Sequence, residues 1–103
     1  MPSDPVLQTL SQELNRCLGS HLRGLWLFGS RARGDARETS DYDVLILVDK
    51  KTPDLRNRIL DLQVEILDRH EALVATILRT EDEWRGSQGY PLTRNIAREA
   101  VRL

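Results

Sequence analysis

The sequence predicts a small α/β domain in which helices pack on a sheet. Two near-continuous apolar runs, residues 24–28 (GLWLF) and 43–48 (DVLILV), have the length and β-branched or aromatic content of buried strands, and the second reads as buried on both faces. On either side of this pair, segments 5–18 and 53–70 space their apolar residues by three and four, which lines one face of a helix. The length, 103 residues, suits a single domain over residues 1–103 with one modest core. The predicted order is α-β-β-α-β-α-α.

Each element has a local cause. Ser3-Asp4-Pro5 opens the first helix, with Asp4 as cap and Pro5 in the first turn. Val6, Leu7, Leu10, Leu14, Cys17 and Leu18 share its apolar face, and Gly19 stops it. Cys17 on that face is a packing residue. After the strand at 24–28, residues 30–39 are polar and rich in Arg and Gly, a loop with one helical turn. Beyond the strand at 43–48, Thr52 caps a helix at 53–70, with Pro53 and Asp54 in its first turn. Leu55, Ile59, Leu62 and Ile66 form its stripe, which Leu60, Val64 and Leu67 are expected to widen. Residues 73–78 (LVATIL) read as a third strand. Thr80 and Glu83 have capping-box spacing for a short helix carrying Trp84. Residues 86–90 are a loop, and Pro91 starts a last helix with Leu92, Ile96, Ala100 and Leu103 on one side.

Composition removes several classes of function. A hydrophobic content of 40% is too high for a disordered chain, and a net charge of −1 offers no overall attraction to nucleic acid or an anionic membrane. No aromatic-basic interleaving marks a nucleic-acid surface. One cysteine excludes a disulfide framework and a CxxC zinc site. The sequence has no apolar run of membrane-spanning length and no signal-peptide pattern at its start, so the cytoplasm is the expected location. His21 and His70 lack ligand spacing and read as surface residues. Trp26 and Trp84 read as core or interface. Arg94, Arg98 and Arg102 recur every four residues and are expected on the solvated side of the last helix.

The stretch at 25–48 holds the chemistry. Asp41 and Asp43 stand two apart at a strand start, so both side chains fall on one face. Adjacent carboxylates repel unless a cation lies between them, and Mg²⁺ suits such an oxygen site, completed by water and substrate phosphates. Alone, the pair is also compatible with solvated aspartates in a turn after Thr39-Ser40. Gly29 ends the preceding strand, where a glycine lets backbone approach a ligand closely. Ser30 adds a hydroxyl, and Arg31 and Arg33 add positive charge suited to phosphate. Alone, Gly29-Ser30 is equally a tight polar turn.

Gly29-Ser30, ten intervening residues, then Asp41-x-Asp43, all between two apolar strands, resembles the signature of the polymerase beta-type nucleotidyltransferase superfamily, in particular its minimal nucleotidyltransferase domains. The closing stretch PLTRNIAREAVRL resembles the end of many such domains, although those often have Gly where Ala100 stands. The resemblance implies a small mixed sheet flanked by helices and transfer of a nucleoside monophosphate from an NTP, with pyrophosphate released. It assigns Gly29 and Ser30 to the triphosphate, with Arg31 or Arg33 screening its charge, and Asp41 and Asp43 to Mg²⁺ and catalysis. The superfamily usually adds a third carboxylate from a later strand. The strand at 73–78 contains none, which leaves Glu65 and Glu71 as alternatives. Domains of this kind are often antitoxins paired with HEPN-domain toxins, to which they add AMP from ATP. The chain is too short for an acceptor domain of its own, so the acceptor is expected to be another protein. The competing expectation, motivated by the missing acid, is a binding module that has lost catalysis and neutralises or scaffolds a partner by contact.

Overall fold

The computed structural model describes residues 4–37 and 41–103. The expected contributions of Ser3 to the first cap and of Thr39-Ser40 to the central loop lie outside those residues.

Helix α1 (Pro5–Leu18) begins where expected: the Asp4 carboxylate accepts from the N–H groups of Val6 and Leu7 at 2.9 and 3.3 Å. Its other oxygen accepts from the Tyr42 hydroxyl at 2.9 Å, which ties the helix start to the sheet. Gly19, at φ +54°, ends it. After one 3₁₀ turn, β1 (Leu22–Phe28) starts two residues earlier than the apolar run suggests. Helix α2 (Ser30–Arg33) is the predicted single helical turn. Strand β2 (Tyr42–Val48) follows, then α3 (Pro53–His70), capped by the Thr52 hydroxyl, which accepts from Leu55 N–H at 3.1 Å. Strand β3 (Val74–Thr80) runs two residues past the expected end, and Thr80 closes a full capping box with Glu83 on α4 (Glu81–Gly86).

The last segment departs from expectation. Helix α5 (Pro91–Glu99) stops at Glu99, and Val101–Arg102 form a fourth strand, β4. Ala100 is therefore the C-cap, and Arg102 and Leu103 are not helical. The physical reason is the open edge of β1. Trp26 and Leu27 pair with Arg102 and Val101, and Leu103 N–H donates to Leu25 C=O at 2.9 Å, bonds that a continued helix would forgo. Arg102 thus leaves the expected arginine row and lies over the Trp26 ring instead, 5.4 Å from its centre.

The sheet order is β3-β2-β1-β4. Strand β1 is antiparallel to β2 and β4, while β2 and β3 are parallel, with α3 as the crossover between them. Period two divides β2 between two cores. Val44, Ile46 and Val48 face the main core against α1 and α3, with Leu10, Leu14 and Ile66 at its centre. Leu45 and Leu47 face a smaller core with Ile96, onto which Trp26, Phe28 and Trp84 pack. This is why β2 reads as apolar throughout. The stripe on α3 is narrower than expected: Leu55, Ile59, Leu62 and Ile66 are buried, but Leu60, Val64 and Leu67 are 52%, 59% and 43% exposed. The three extra residues lie outside the packed stripe.

Candidate active site

Strand β1 ends at Phe28, which pairs with Asp43 on β2, so the next residue, Gly29, arrives beside the Asp43 carboxylate. Gly29 adopts φ +78° and caps α2; its carbonyl accepts from the N–H groups of Ala32 and Arg33, both at 3.1 Å. A side chain there is excluded on two counts. The φ value suits only glycine, and a β-carbon would overlap Asp43 Oδ2. The Gly-Ser turn and the acidic strand predicted to cooperate are therefore in contact. Ser30 opens α2 on the same rim, and its hydroxyl makes no hydrogen bond among the described residues.

Asp43 shares its sheet face with Leu45 and Leu47 and is half-buried. Burial is the largest influence on its carboxyl and raises its pKa; the charges of Asp41 and Glu99 raise it further, against the opposing pull of Arg33. Asp41 precedes β2 and is exposed.

The two arginines are placed differently from each other. The Arg31 guanidinium carbon lies over the Tyr42 ring, 3.9 Å from its centre, and Arg31 donates to Arg37 C=O at 3.4 Å. Arg33 is held between two carboxylates, with Nε 3.3 Å from Asp35 and Nη1 3.0 Å from Glu99.

Glu99 is the site residue that sequence reasoning missed. Its Oε1 accepts Gly29 N–H at 2.9 Å while Oε2 takes Arg33. The Gly29 N–H foremost, and then Arg33, hold its carboxyl below the usual glutamate range. Extending the β1–β4 register from Leu27 opposite Val101 by two positions puts Glu99 opposite Gly29. The side chain thus supplies the acceptor where backbone pairing ends. Its one trace in the sequence is an acid among arginines near the last helix end, and no local spacing links it to a glycine 70 residues away.

Neither alternative for a third acid reaches the pair. Glu65 is on α3, ion-paired with Arg69 at 3.1 Å, and Glu71 caps the end of that helix at φ +52°. The β3 residue opposite Asp43 is Ala75. Among the described residues, no group of three metal-ligating side chains could hold an ion. An open cleft of about 400 Å³ runs from Gly29 along α5, lined by the apolar Phe28, Leu92 and Ile96 and by the polar Arg33, Asn95 and Arg98.

The nucleotidyltransferase domain family profile matches residues 7–102 of this chain. The chain belongs to the nucleotidyltransferase family. Two proteins of Methanocaldococcus jannaschii that carry the name "putative protein adenylyltransferase" are similar to it. One is 30% identical over 92 residues, spanning 85% of this chain and 88% of its own. The other is 33% identical over 75 residues, spanning 71% and 75%. Two solved structures share the fold. A toxin-antitoxin with AMP-PNP superposes with TM-score 0.66 at 18% identity, covering 92% of this chain and 69% of its own. A structure described as a "putative minimal nucleotidyltransferase" gives 0.62 at 23% identity, with both chains covered in full.

The mixed sheet and its flanking helices are those expected of a nucleotidyltransferase, and the family resemblance carried by Gly29-Ser30 and Asp41-x-Asp43 is borne out. In this nucleotidyltransferase the loop and the acids lie on one rim of the sheet, at the end where β1 stops and β2 starts. No helix among the described residues is long and apolar enough to cross a membrane.

Proposed function

We propose that this nucleotidyltransferase moves AMP from ATP onto a hydroxyl of a partner protein, with Mg²⁺ as cofactor. The observation that carries the reading is the contact between Gly29 and Asp43, which joins the turn after β1 to the acid on β2. A nucleotide bound there has its triphosphate at Gly29 and Ser30 and its α-phosphorus near the acids. The donor set fits a hard divalent cation: two carboxylates two residues apart, where burial first and then the charge of Asp41 raise the pKa of Asp43. Asp41 and Asp43 would hold the ion, and it would supply charge neutralisation to the phosphate oxygens. The chain's own residues do the positioning. Ser30 offers its hydroxyl to the phosphates, Arg31 and Arg33 lower the cost of bringing them in, and the fixed backbone at Gly29 keeps the reacting atoms in line.

The names of the Methanocaldococcus jannaschii relatives support a protein acceptor, and the toxin-antitoxin neighbour supports pairing with a toxin, for which a HEPN-domain protein is the partner the family resemblance implies. The test is incubation of the purified chain with α-labelled ATP, Mg²⁺ and its neighbouring-gene product. The expected result is label on the partner that is lost in Asp41→Asn/Asp43→Asn. Label that survives the double change excludes these residues as the metal site.

A second reading is favoured by one observation, Ala75 standing where β3 faces Asp43. A domain with an incomplete acid set can neutralise a partner by contact alone. Full protection by the double variant at equal expression selects this reading.

A further inference from the structure

We propose that Glu99 is a positioning residue for the nucleotide's triphosphate, a role that rests on the function just proposed. Its carboxylate makes two bonds at once, to Gly29 N–H at 2.9 Å and to Arg33 at 3.0 Å. Gly29 and Arg33 bracket the four-residue helix α2, so a single side chain grips both ends of the turn that carries Ser30. Accepting the Gly29 N–H fixes the orientation of the peptide between Phe28 and Gly29 and keeps the glycine in its φ +78° conformation against Asp43. The second bond holds Arg33, already paired with Asp35, along the cleft wall. Glu99 can do this because α5 ends on it and β4 returns the chain to the edge of β1, so its own backbone is anchored on both sides. Charge-assisted hydrogen bonds of this kind are the strong ones, and a phosphate loop set in advance spends less ordering energy on binding.

Equilibrium binding of ATP with Mg²⁺, and of inorganic triphosphate, to the full chain tests the proposal. Glu99→Ala is expected to weaken both about tenfold. Glu99→Gln keeps an acceptor for Gly29 N–H and is expected to recover part of that loss. Arg102→Ala, which removes the side chain over Trp26 but keeps the backbone pairing of β4 with β1 and both bonds of Glu99, is expected to bind as wild type does. If Glu99→Ala fails to fold, Glu99→Gln and Arg33→Ala carry the comparison, with both expected to weaken triphosphate and the double variant to weaken it no more than Arg33→Ala alone. Unchanged affinity in the Glu99 variants overturns the proposal. So does tighter binding, which would mean that the carboxylate occupies the phosphates' own place, and so does an equal loss in Arg102→Ala, which would reduce Glu99 to an anchor of the chain end. A wild-type chain that binds neither ATP nor triphosphate removes the nucleotide reading itself and the proposal with it.

Discussion

A β-carbon on Gly29 would overlap Oδ2 of Asp43 and lie 3.2 Å from its Cγ. The two residues come from consecutive strands and are brought together by the register of Phe28 opposite Asp43. Gly29→Ala must therefore strain the backbone at φ +78° and push the carboxylate aside at once. The expected cost is about 2–3 kcal/mol, read as a drop in Tm of roughly 10 °C, together with loss of nucleotide transfer. A variant with wild-type Tm would mean that the loop moves freely away from β2.

The ionised form of Asp43 works against folding. Its folded-state pKa is raised above the ordinary value of 3.8, chiefly by burial and then by Asp41. Such a group favours folding below its unfolded pKa, and that contribution is lost as pH rises through the folded one. At pH 7 the ionised carboxylate is thus a net liability in the absence of a cation. Asp43→Asn is expected to raise Tm at pH 7, with the gain shrinking as pH falls through the raised folded-state pKa and gone below the ordinary value of 3.8, where both states of the wild type are protonated. Thermal melts across pH 3–8 check this, and a lower Tm at pH 7 would contradict it.

The exposed side of α3 separates packing from pattern. Ile66 is fully buried and Val64 is 59% exposed, although both are apolar residues of one helix. Ile66→Ala is expected to cost about 2–4 kcal/mol in urea unfolding, and Val64→Ala less than about 0.5 kcal/mol. Similar costs at both positions would mean that Val64 is covered in solution.

Asp4 serves two elements with one carboxylate. It accepts from Val6 and Leu7 N–H and from the Tyr42 hydroxyl. Asp4→Ala is expected to destabilise the fold by about 1–2 kcal/mol. Burial first, and then Asp4, raise the pKa of Tyr42 above its ordinary 10.0. The variant is therefore expected to move the Tyr42 phenol down towards that value, which ultraviolet titration of tyrosinate would show. An unmoved titration would mean that Tyr42 does not use Asp4.

What could be read from the chain by itself was whatever a few neighbouring residues encode. The Asp4, Thr52 and Thr80 caps, the stop at Gly19 and the buried rows of α1 and α3 follow from spacing within one or two helical turns. So do the two central strands, whereas the joining of Gly29-Ser30 to Asp41 and Asp43 is what the family resemblance implies, and the structure brings Gly29 against Asp43. Tertiary structure decided the rest. Whether Leu60 and Val64 are buried depends on what packs against that side of α3, which no helical period contains. The parallel partner of β2, with Ala75 opposite Asp43, is chosen by the α3 crossover. The end of α5 depends on the unpaired edge of β1, whose hydrogen bonds turn residues 101 and 102 into a strand. That same pairing carries Glu99 across 70 residues of sequence to Gly29, because hydrogen bonds between distant segments form only when the whole sheet does.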